Sequence, residues 1–168
     1  MILQPASRPL RCWLTALLSA WVTMVFVSSA LIVLRGVPSV MTRSGVGHPG
    51  AIAATWRVAD EMGPVVKLLM VVLLAALLEP GERWLRANPA RHAPSLAWWP
   101  YAVNVTAGVA AMLLTLAFVP AAFSRGFGIG LTGARFDRAV LPLYFASGAL
   151  GAVAYTVTRA RCRTRAVP

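Results

Sequence analysis

The chain has 168 residues, of which 58% are hydrophobic and only 12% charged, with mean hydropathy +0.70 and a formal net charge of +11. A soluble globular domain carries more charge and less apolar sequence, so that class is excluded. Nucleic-acid binding is excluded as well, because the basic residues sit in short segments between apolar runs instead of lining one exposed face.

The apolar residues gather in four stretches, approximately 13–34, 63–79, 97–123 and 139–158. A helix needs roughly 20 mostly apolar residues to cross the hydrocarbon core, and shorter ones suffice where flanking side chains snorkel. The expected fold is therefore an all-α membrane protein: one membrane domain, a bundle of four transmembrane helices with a short interfacial helix in the first loop. The second stretch is the shortest, and a re-entrant or surface segment there would leave three crossings.

The first run, Trp13 to Leu34, follows Arg8 and Arg11, as a signal peptide would, with Ser28 and Ala30 as small residues before a cut. A signal h-region spans about 7 to 15 residues. This run continues through Leu31, Ile32, Val33 and Leu34, so an uncleaved first helix is expected. Arg35 to Met62 opens with a loop marked by Gly36, Pro38, Gly45, Gly47, Pro49 and Gly50. From Ala51 onward, Ile52, Trp56, Ala59 and Met62 recur at spacings of three and four, the pattern of an amphipathic helix over 51–62. Trp56 on its apolar side suits the membrane interface.

Gly63-Pro64 breaks the chain, and Pro64 suits the first turn of the second span. Lys67 lies about one turn inside, where its stem lets the ammonium reach the headgroups. The run ends at Glu79-Pro80-Gly81, and a polar link to Ser95 holds Arg83, Arg86, Arg91 and His92. Trp98, Trp99 and Tyr101 open the third span as an aromatic belt, with Trp98 and Trp99 as headgroup anchors. Ser124 to Arg138 forms a Gly-rich turn. The fourth span is followed by Arg159, Arg161, Arg163 and Arg165, expected to lie together on anionic lipid headgroups.

An even number of crossings puts both termini on one side, with Arg8, Arg11, Arg83, Arg86, Arg91 and the four arginines after the last span. The other side holds Arg35, Arg43, Arg57, Lys67, Arg125, Arg135 and Arg138. That balance, and above all the close group of four, predicts cytoplasmic termini. Arginine far outnumbers lysine, with Lys67 alone, and Ala and Gly are abundant, a usage that points to a GC-rich bacterial genome and hence to the inner membrane.

Candidate chemistry is sparse. Gly128, Gly130 and Gly133 fit G-x-G-x-x-G by letter, but between two membrane helices and outside any βαβ unit they predict an interfacial turn. His48 and His92 fall in loops on opposite faces and cannot share a metal. Glu79 and Glu82 are expected to pair with Arg83 and Arg86 at helical spacing. Asn104-Val105-Thr106 is a glycosylation sequon in form only, since it lies within the third span. Cys12 and Cys162 are expected to be free thiols. The chain lacks the loop cysteines of a quinone-linked disulfide oxidase, the in-span histidines of a b-type haem protein and the membrane-embedded glutamate of a small multidrug exporter. No catalytic residue, metal or cofactor is assigned.

The expected partners are the lipid bilayer and a membrane protein or a second copy. The leading expectation is an accessory or assembly protein without an active site. An oligomeric small-molecule carrier or channel lined by Asn104, Thr106, Thr115 and Lys67 is the alternative, and a lipid-headgroup enzyme using Glu79, Glu82, Arg83 and His92 the third reading. Small and polar residues bring membrane helices together. Asn104, Gly108, Ala111 and Thr115 form such a stripe on the third span, and Tyr144, Gly148, Gly151 and Tyr155 on the fourth. Set antiparallel, they predict Asn104 opposite Tyr155, Gly108 opposite Gly151, Ala111 opposite Gly148 and Thr115 opposite Tyr144.

Overall fold

The computed structural model describes residues 7–35, 50–88, 98–123 and 141–164, and its elements are α1 (Ser7–Leu34), α2 (Ala51–Glu61), α3 (Gly63–Ala87), α4 (Trp99–Phe123) and α5 (Leu141–Thr164). All are α-helices, and α1, α3, α4 and α5 are long and apolar enough to cross a membrane. The second run is the informative one. Its helix has 25 residues, about 37 Å at 1.5 Å per residue, against an apolar bilayer core of roughly 30 Å.

The helix passes through Pro80, where the sequence alone suggests an end, and stops at Ala87. Proline removes one ladder hydrogen bond, a local cost that tertiary burial can offset. The offset is visible in the spacing: Val66, Met70, Leu74, Leu78, Glu82 and Leu85 are all buried, one face continuing past the proline. Asn88 then closes the helix, its Nδ2 donating to the Trp84 carbonyl at 2.9 Å.

The four long helices alternate in direction. α5 packs most extensively on α1 and then on α4, α4 on α3, and α3 touches α1 more lightly, so the bundle closes as a ring in the order α1, α5, α4, α3. One end holds the start of α1 and α4 and the finish of α3 and α5. At the other end α2 lies against α1. It joins α3 at Gly63, whose φ of 71° gives glycine a specific use there.

On α2, Val58, Ala59 and Met62 are buried, whereas Ile52 is 88% exposed and Trp56 64%. The apolar stripe expected from spacing is thus divided between the bundle and the outside. Trp56 still meets α1, its ring 5.4 Å from that of Phe26.

Backbones come closest where side chains are smallest. A Cβ added to Gly148 would lie 2.8 Å from the Gly108 carbonyl oxygen, and one on Gly108 2.8 Å from the Ala152 Cβ. On an adjacent face of α5, a Cβ on Gly151 would lie 2.9 Å from the Ala20 carbonyl oxygen of α1. Larger side chains, among them Met24, Ile32, Met70, Leu74 and Met112, fill the core between.

Candidate functional site

The most polar place inside the bundle lies toward the end where α3 and α5 finish. The continuing buried face of α3 turns Glu82 inward, and α5 presents Tyr155 and Arg159, one turn apart, to the same carboxylate. Tyr155 Oη donates a long hydrogen bond to Glu82 Oε1 at 3.4 Å, and Arg159 Nε lies 3.6 Å from that oxygen. The Glu82 and Arg159 side chains are only 5% and 14% exposed. With α3 centred on a bilayer, Glu82 sits about 10 Å from the midplane, inside the roughly 15 Å half-thickness of the apolar core.

Beside this pair, Asn104 Nδ2 donates to Thr156 Oγ1 at 3.0 Å, joining α4 to α5, and the Thr156 hydroxyl donates in turn to the Ala152 carbonyl at 2.9 Å. Asn104 Oδ1 is buried without a hydrogen-bond partner among the described residues. On the other side of α5, Thr158 Oγ1 donates to Ser19 Oγ of α1 at 3.3 Å. The cluster therefore links α5 to each of the other long helices through polar groups. An ion pair shielded from water is strongly coupled electrostatically, so losing either partner leaves a charge that protein alone must stabilise.

Several expected positions fall elsewhere. Gly108 faces Gly148 and Ala152 instead of Gly151, which turns to α1. Asn104 meets Thr156 rather than Tyr155, and Tyr155 belongs to Glu82. Ala111, Thr115 and Tyr144 are buried, with the Thr115 hydroxyl bonded to the Ala111 carbonyl of its own helix at 2.8 Å.

Arg159 faces the protein interior, not the headgroups, because the inward carboxylate lies within its reach. Arg161 is exposed, and the Arg163 side chain and Arg165 lie outside the described residues. Trp98 is exposed, and Trp99 packs between it and Trp84, at ring distances of 5.2 and 6.1 Å. Such an aromatic group suits the headgroup level.

Glu79 pairs with Arg83 at 3.0 Å and Arg86 at 3.5 Å. Glu82 accepts from Arg86 Nε at its backbone carbonyl at 3.2 Å but turns its carboxylate inward to Tyr155 and Arg159, which corrects the expectation that it pairs outward as Glu79 does. The signal was available as the every-fourth-residue stripe from Val66 to Glu82, hidden only by reading Pro80 as a stop.

Toward the other end, Lys67 Nζ lies 3.7 Å from Asp60 Oδ1, and Trp21 Nε1 donates to the Lys67 carbonyl at 3.0 Å. Of the residues expected to line a carrier path, Asn104 and Thr115 are buried, Lys67 is half-buried and Thr106 is exposed. His48, His92 and the turn at 128–133 lie outside the described residues. Among the described residues no three His, Cys, Asp or Glu side chains gather as metal ligands, and Cys12 and Cys162 are not joined in a disulfide. No protein-family model, curated protein or solved structure matches the chain.

Proposed function

We propose that the chain is a multi-pass bacterial inner-membrane protein of accessory or assembly type, with cytoplasmic termini, which acts through helix contacts and has no active site of its own. The observation that carries this reading is the use made of ionisable groups within and beside the bundle: Glu82 meets Arg159, and Lys67 meets Asp60, each on another helix. The buried Glu82–Arg159 pair fixes α3 relative to α5, while the Lys67–Asp60 pair, with its carboxylate 83% exposed, tethers α2 only weakly. They leave an outward surface such as Leu10, Leu14, Leu18 and Val22, spaced by four along α1 and exposed, suited to lipid or to a helix of another membrane protein.

Mild-detergent affinity purification, followed by mass spectrometry, tests the reading. A membrane protein recovered in stoichiometric amount with the chain is the expected result. Solute flux through liposomes containing only this chain would overturn it. A carrier reading is favoured by one observation, the buried carboxylate of Glu82 in a helix long and apolar enough to span, since carboxylates inside spans mark ion and substrate paths in many transporters. On that reading the flux is lost in Glu82→Gln.

A further inference from the structure

At the end of the bundle away from Glu82, α2 leans on α1 over a half-open cleft of about 180 Å³. Its walls are almost wholly apolar, formed by Trp21, Val25 and Phe26 of α1 and Trp56 of α2, and its rim carries Lys67 and Asp60. An apolar cavity of about 150 Å³ takes up a benzene-sized molecule, so this cleft holds a hydrocarbon segment on the order of six carbons. One flank of the opening is Trp56, itself 64% exposed. An acyl chain can therefore enter sideways from lipid.

The rim narrows the choice of headgroup. Lys67 Nζ and Asp60 Oδ1 are 3.7 Å apart, with side-chain exposures of 24% and 83%. The lysine backbone is held by Trp21 Nε1 at 3.0 Å, while the Asp60 carboxylate stands largely in the open. A lone cation would select anionic lipid. A cation and an anion side by side form a dipole instead, and the partner for a dipole is a second one laid antiparallel.

We propose that this cleft binds a zwitterionic phospholipid with a primary-amine headgroup, a phosphatidylethanolamine. Its phosphate lies on Lys67, its ammonium on Asp60, and the upper part of one acyl chain between Trp21, Phe26 and Trp56. The primary ammonium offers N–H donors to the carboxylate, which a quaternary ammonium does not. A glycerol headgroup brings the phosphate charge alone and leaves Asp60 unanswered. The inference rests on reading the chain as membrane-spanning and is independent of its accessory role.

The test uses the full chain purified in detergent and an equimolar mixture of synthetic phosphatidylethanolamine, phosphatidylglycerol and phosphatidylcholine with identical acyl chains. Bound lipid is read by native mass spectrometry. The ethanolamine lipid is expected to exceed each of the others by about tenfold, the size of one good charge-assisted hydrogen bond. Asp60→Asn, at a largely exposed position that does not endanger folding, is expected to remove that preference and let the glycerol lipid draw level. Ala59→Phe, which fills the cleft, is expected to reduce retention of the ethanolamine lipid. Equal retention of the three lipids, a preference for the glycerol or choline headgroup, or an ethanolamine preference that survives Asp60→Asn would each overturn the assignment.

Discussion

Glu82 and Arg159, on different helices and both largely buried, lie 3.6 Å apart. Removing one member of a buried pair strands the other, at a cost of about 3–5 kcal/mol, whereas replacing both with apolar groups of similar volume is often neutral. Arg159→Leu and Glu82→Met should therefore each lower the thermal midpoint in detergent substantially. The double variant should recover most of the loss. A double variant as unstable as the sum of the singles would show that the two side chains act separately and that their proximity carries no coupling. Tyr155, fully buried and hydrogen-bonded to the same carboxylate, gives a milder control. Tyr155→Phe keeps the ring and loses one bond, and should cost about 1 kcal/mol.

Between elements, the contact of α4 with α5 depends on glycine because backbone meets backbone. A methyl on Gly108 or Gly148 meets main-chain atoms of the facing helix, which can yield only by moving the whole helix. Gly81 is a useful contrast, since a methyl there would meet only the Val103 Cγ1 at 3.1 Å, the end of a side chain. Gly108→Ala is thus expected to destabilise by about 1–3 kcal/mol through overpacking. Gly81→Ala should be neutral or slightly stabilising, because alanine favours the helix by up to about 1 kcal/mol. Equal effects of the two in detergent unfolding would refute the backbone contact. The same contact shows where the sequence is legible and where it stops. The long apolar helices, the short helix α2 and the buried small-residue stripes of α4 and α5 are readable, because periodicity and composition report local physics. The partner of each stripe is not. α5 lies between α1 and α4 and carries small residues on two faces, Gly148 with Ala152 toward one neighbour and Gly151 toward the other. Composition alone cannot say which face goes to which helix. The inward turn of Glu82 is a related case: the stripe from Val66 to Glu82 is in the sequence, but whether the helix runs on through Pro80 to use it depends on burial in the assembled bundle.

For the molecule as a whole, the alternation of its four long helices brings the beginning of α1 and the finish of α5 to the same end. The two cysteines make this testable without engineering. Ser19 of α1 meets Thr158 of α5, and Gly151 packs against Ala20 and Met24. One heptad back from Ser19 is Cys12, and one turn on from Thr158 is Cys162, both on the faces already in contact. Antiparallel registry leaves them within about one helical turn of each other along the axis. A short bis-maleimide applied to membranes is therefore expected to join Cys12 to Cys162 within one molecule, detected as a linked peptide by mass spectrometry. Four crossings further require that both thiols react from the same side. An impermeant maleimide should label the pair in inverted vesicles and spare it in intact spheroplasts if the termini are cytoplasmic. Labelling of one cysteine from each side would mean an odd number of crossings and would remove α3 from the set of spans. Labelling of both from outside would keep the bundle and reverse its orientation, placing Arg159 and Glu82 toward the outer face.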